Sequence, residues 1–74
     1  MKLIDVLRSL APKPTVEYGF VILFSDIINA CKVLGQDNHN IVEAQLKNLE
    51  NQNLLTIVYQ KEFEDLIIGA KLND

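Results

Sequence analysis

The sequence predicts an α+β domain of three helices, one short strand and a C-terminal β-hairpin. Three observations carry this. Apolar residues recur at helical spacing in three separate segments, the period changes to strand-like alternation after Asn53, and Pro12, Pro14 and Gly35 stand where segments end. With 74 residues, 49% of them hydrophobic and 23% charged, residues 1–74 make a single domain. Two cores of half this size would not offset the entropy of folding.

The first helix is predicted over Lys2 to Ala11, where Leu3, Val6, Leu7 and Leu10 form one stripe. Pro12 and Pro14 end it, because proline lacks a backbone donor and biases its predecessor toward extended geometry. Lys13 to Tyr18 reads as a connector. Gly19 to Phe24 is apolar and β-prone and is read as a short strand, with Ser25 as the N-cap of a second helix and Asp26 in its first turn. That helix buries Ile27, Ile28, Cys31 and Leu34, and Gly35 supplies the left-handed residue that stops it.

Gln36 to Asn40 is a polar turn. Asn40 and Glu43 have capping-box spacing, so a third helix is expected from Ile41 to about Asn51, with Ile41, Val42, Leu46, Leu49 and part of Gln45 facing inward. Asn53 suits the left-handed position after it. Leu55, Ile57 and Tyr59 then alternate with Leu54, Thr56 and Val58, as a strand requires. Gln60 to Glu62 makes the turn, and Phe63 to Leu72 the return strand.

Enzyme chemistry has little to stand on. The lone Cys31 can close no intramolecular disulfide and, with one His39, builds no zinc site; no third group orients a Cys/His pair. Asp37 to Asn40 lacks the glycine of a calcium loop, and no glycine-rich phosphate loop exists. No catalytic residue, cofactor or metal is therefore expected. The longest unbroken apolar run, Phe20 to Phe24, is far short of a membrane span, and the N-terminus shows no signal-peptide pattern. The cytoplasm is the expected compartment.

The stretch Val42 to Leu55 resembles the end of the recognition helix in winged helix-turn-helix domains, in small regulators of bacterial, archaeal and viral type. Val42, Leu46 and Leu49 take the apolar places, Asn53 the glycine-like turn, and Leu54-Leu55 the start of the wing. Ser25 to Leu34 resembles the preceding helix, and Leu55 to Leu72 the wing; together the likeness covers about residues 20–72. The sequence departs from the family pattern in a turn from Gly35 to Asn40 longer than the usual ~3–4 residues, and in asparagine for glycine at position 53.

The resemblance implies a helix in the major groove and a wing on the flanking backbone of double-stranded DNA. Asn40, Glu43, Ala44, Lys47, Asn48 and Asn51 face away from the apolar stripe. Asparagine can contact adenine bidentately, glutamate can accept from cytosine, and lysine binds guanine or phosphate. The candidate contacts are His39, Asn40, Glu43, Ala44, Lys47 and Asn48, with Lys61 on the wing. Eight of the eighteen residues from Gln36 to Asn53 are Asn or Gln, a large supply of neutral donor-acceptors.

Charge argues the other way. From Gln36 to Asp65, two lysines face six acids, a net −4 in a chain of net −3, where phosphate contacts need cations. Plainer readings stand beside each candidate: Glu43 as a capping partner, the polar helix face as solvated, His39 as a turn residue, Tyr59 and Phe63 as a packed cross-strand pair. Two functions follow from the sequence: a DNA-binding transcriptional regulator, or an acidic interaction module of the same fold that meets a protein partner and not DNA. The N-terminal helix is the one long element left for pairing, and a homodimer is the expectation.

Overall fold

The computed structural model describes residues 2–73. In chain order the elements are α1 (Leu3–Ser9), β1 (Lys13–Thr15), β2 (Gly19–Leu23), α2 (Phe24–Val33), α3 (His39–Asn51), β3 (Leu55–Tyr59) and β4 (Ile67–Leu72). Three helices thus accompany a four-stranded antiparallel sheet of order β1-β2-β4-β3. The expected order of helix, strand, two helices and hairpin holds, with one strand added.

That strand is β1, within the segment expected to be a connector. It pairs Lys13 with Val21 and Pro14 with Phe20. Proline is tolerated there because β1 is an edge, where no second ladder needs its missing N–H. The Thr15 hydroxyl closes the turn, donating to the Gly19 carbonyl (2.8 Å) and accepting from the Tyr18 N–H (2.9 Å), while Gly19 turns the chain at φ +72°.

α1 ends at Ser9, short of Ala11, because Leu10 is already extended (ψ 137°) two residues ahead of Pro12. It buries Leu3, Val6 and Leu7. α2 starts two residues earlier than expected. Leu23 occupies the N-cap position without a side-chain bond, so Ser25 is not the cap, and Asp26 sits in the first turn, where its charge favours the helix dipole. Asp26 also pairs with Lys13 at 3.0 Å.

Both later helices end in Schellman motifs. After α2, Gln36 N donates to Cys31 O and Gly35 N to Lys32 O, with Gly35 at φ +97°. After α3, Leu54 N donates to Leu49 O and Asn53 N to Glu50 O, with Asn53 at φ +62°. The left-handed roles expected of Gly35 and Asn53 are the ones they occupy.

The core joins Leu3, Val6 and Leu7 of α1 to Ile27 and Cys31 of α2, Val42 and Leu46 of α3, and Ile22, Leu55, Ile57 and Ala70 of the sheet. Cys31 is fully enclosed, and burial pushes its thiol up from the ordinary 9.0. On the other face of the sheet, Val21 is also buried, its side chain lying over Gly69, where a Cβ would stand 2.6 Å from Val21 Cγ1.

The return strand is shorter than expected. β4 begins at Ile67, and residues 60–66 form a loop closed by Gln60 N to Leu66 O (3.0 Å) and Leu66 N to Phe63 O (2.9 Å). The acidic run Glu62, Glu64, Asp65 has poor strand propensity, and a register irregularity at Val58/Tyr59 ends the regular ladder. Phe63 is 57% exposed in this loop, and Tyr59 pairs with Ile67 instead.

Candidate nucleic-acid interface on helix α3

α3 is positioned from both ends. At its start the cap is Asn38, whose Oδ1 accepts from Asn40 N (3.0 Å) and Ile41 N (3.4 Å). The expected Asn40/Glu43 capping box is therefore absent: the helix begins two residues earlier, at His39, and residue three after the cap is Ile41. Several residues of Gln36–Asn40 can cap, and Gln36 Oε1, accepting from Asn38 N, helps select Asn38. Neither Asn40 nor Glu43 is then needed for capping. A turn of five residues, 34–38, separates α2 from α3.

At its far end α3 is tied to β3. Glu50 Oε2 accepts from Ile57 N at 2.8 Å, satisfying a donor on the outer edge of the sheet. Asn73 closes the same corner, its N–H on Leu54 O and its Nδ2 on Asn53 O. Val42 and Leu46 face the core, and Leu49 and Gln45 are half-buried. Ile41 was expected to point inward but is 41% exposed; one residue before Val42 is a 100° rotation, which carries it off the buried stripe.

The exposed face opposite Val42 and Leu46 carries Asn40, Ala44, Lys47 and Asn51 at i, i+4, i+7 and i+11, all exposed. Asn48 is exposed on the flank toward α1, where Lys2, Ile4, Gln45 and Gln52 share its groove. Gln45 Oε1 is buried there without a partner among the described residues. Glu43 is half-buried on the opposite flank. His39 is exposed and borders a shallow depression with Phe24, Ser25, Ile28, Asn29 and Ile67. Six of the seven sequence candidates are thus carried by one helix, on its outer face and two flanks.

Lys61 lies elsewhere, in the loop between β3 and β4. Its N–H donates to Tyr18 Oη (3.1 Å), and Glu17, Tyr18, Gln60 and Glu62 surround it. The β1–β2 turn therefore braces the β3–β4 loop, a role for Tyr18 that no local pattern announces. Asn51 belongs to the exposed stripe as fully as Asn40; its signal was the same four-residue step from Lys47.

The first turn of α3 holds no acidic residue; Asn38 Oδ1 already takes the N–H groups of Asn40 and Ile41, so an anion there would meet the positive end of the helix dipole. Among the described residues no group of three metal-capable side chains occurs, and no helix is long and apolar enough to cross a membrane. Comparison with family models, curated proteins and solved structures finds no match.

Proposed function

We propose that the chain is a small winged-helix DNA-binding protein, a transcriptional regulator that lays α3 in the major groove. The observation that carries the reading is the open stripe Asn40, Ala44, Lys47, Asn51 on a helix held rigidly at both ends. Two asparagines offer bidentate contact to adenine, each worth about 1–3 kcal/mol of discrimination. Ala44 is small enough to admit a thymine methyl, Lys47 reaches guanine or phosphate, and the α3 N-terminus beside His39 receives a backbone phosphate. The β3–β4 hairpin takes the place of the wing.

With Lys47, Lys61 and the helix N-terminus as its phosphate contacts, the protein binds DNA with a shallow salt dependence, a slope of about −2 to −3 in log K against log salt. The test is selection from a randomised duplex pool at low salt, followed by anisotropy titrations. Asn40→Ala and Asn51→Ala relax specificity at single positions, whereas Lys47→Ala weakens all sequences and reduces the slope by about 1. A pool with no enriched sequence, and no retention on bulk DNA at low salt, overturns the reading.

A second reading has its own observation. The loop 60–66 presents exposed Phe63 and Leu66 among Glu62, Glu64 and Asp65, a surface that repels DNA and suits a protein. In this reading the domain is an acidic winged-helix interaction module without DNA contact.

A further inference from the structure

We infer that the β3–β4 loop of one copy docks into a basic, apolar groove of a second copy, so that the chain associates head to tail. The inference names the partner for the second reading and rests on that reading. It does not depend on α3 meeting DNA.

The groove lies between α1, β2 and β4, a cavity of about 440 Å³ bordered by Arg8, Leu10, Pro12, Phe20, Lys71 and Leu72. Its floor is apolar, with buried Ile22 and Ala70, and Phe20 stands 66% exposed at its side. Among the described residues its charged lining residues are Arg8 and Lys71. Both are exposed, and among the described residues neither takes part in an ion pair; the one such pair is Lys13 with Asp26. Lys71 follows Ala70 in β4 and so turns its side chain to the Val21 face, beside Gly19, which leaves Arg8 as the cation over the apolar floor.

The complementary surface is on the same chain. Glu62, Phe63, Glu64, Asp65 and Leu66 interleave three acids, also in no ion pair among the described residues, with two apolar side chains 57% and 55% exposed. Phe63 and Leu66 supply anchors for the apolar floor, and the carboxylates meet Arg8, whose guanidinium can bind a carboxylate bidentately. The loop is braced by Lys61 N on Tyr18 Oη, so little ordering is lost on docking. Because loop and groove are different surfaces, the contact is heterologous. It builds an open chain of copies unless the rotation closes a ring.

Sedimentation equilibrium of the full chain over a wide concentration range, at about 0.05 M and about 0.5 M salt, tests this. The expected result is a mass that rises beyond dimer with concentration at low salt and falls back at high salt. Arg8→Glu alters the groove and Glu64→Lys the loop, both at exposed positions, with circular dichroism to verify folding. Each variant alone weakens association about tenfold or more, and an equimolar mixture restores it because each altered surface meets its complement. Phe63→Ala weakens association at both salt concentrations. A wild-type chain that stays monomeric throughout overturns the inference and returns the loop to an unrelated protein. Association that neither charge reversal alters, or that mixing does not restore, overturns it too.

Discussion

A methyl group at position 69 would wedge β2 from β4. The Cβ of an alanine there overlaps the Ile22 carbonyl oxygen and lies 2.6 Å from Val21 Cγ1 and 2.9 Å from the Ile22 carbonyl carbon. Carbon atoms pack at about 3.5–4.0 Å, so the strands must part by about 1 Å, and backbone atoms cannot rotate aside as a side chain can. β2 joins β4 through only two paired positions, Ile22 with Ala70 and Leu23 with Gly69. Parting them gives up about 1 kcal/mol for each ladder hydrogen bond and opens Val21 and Ile22, each contributing about 1.5–3 kcal/mol by burial. The expected loss for Gly69→Ala is about 3 kcal/mol or more, at the upper end of ordinary overpacking. A domain of this length is stable by about 4–11 kcal/mol. At about 4–8 °C per kcal/mol, the melting temperature falls by ~12 °C or more, read by circular dichroism and urea titration. Gly35→Ala is the control. Nothing lies within 4 Å of its added Cβ, so only left-handed strain of about 1–2 kcal/mol remains. A Gly69→Ala domain that melts no lower than Gly35→Ala would refute the reasoning.

Three further outcomes are expected. Asn38→Ala removes the α3 cap and costs about 1 kcal/mol, while Asn40→Ala leaves stability unchanged; urea midpoints that rank the two in reverse would return the cap to Asn40. Glu50→Ala strands the Ile57 N–H on the sheet edge and costs about 1–3 kcal/mol, and Glu50→Gln, which keeps an acceptor, costs less. Burial raises the Cys31 pKa above 9.0, so its contribution to stability is complete below the unfolded-state value and is lost as pH rises through and beyond it. The enclosed thiol therefore reacts with a disulfide reagent at pH 8 only through opening of the fold, far more slowly than in the urea-unfolded chain, and Cys31→Ala flattens the alkaline decline in melting temperature.

The parts legible in the sequence are those that short-range chemistry decides. The apolar stripes of α1, α2 and α3, the left-handed Gly35 and Asn53, and the alternation of β3 follow from steric and periodic rules acting over a few residues; Leu34, expected inside, is 59% exposed because it is already the C-cap that leaves α2. The candidate face of α3 was legible for the same reason, since Val42 and Leu46 set the phase from which Asn40, Ala44, Lys47 and Asn51 point outward. Where several local solutions compete, the sequence could not choose. Asn38 and Asn40 are both good caps, and the choice depends on how the turn leaves Gly35. Phe63 to Leu66 reads as the start of the return strand, yet it closes into a loop when Gln60 bonds Leu66.

From its sequence alone this chain was committed to three amphipathic helices, a late β-hairpin and an α3 with one polar side, because periodicity and backbone sterics need no distant partner. Tertiary structure decided the rest. β1 exists only because Gly19 folds Lys13–Thr15 back onto β2. Gly69 is indispensable only because the Ile22 carbonyl and the Val21 side chain of β2 cross it, and Tyr18 and Lys61 meet across 43 residues. Such contacts depend on which surfaces the compact chain brings together, and no window of neighbouring residues contains that information.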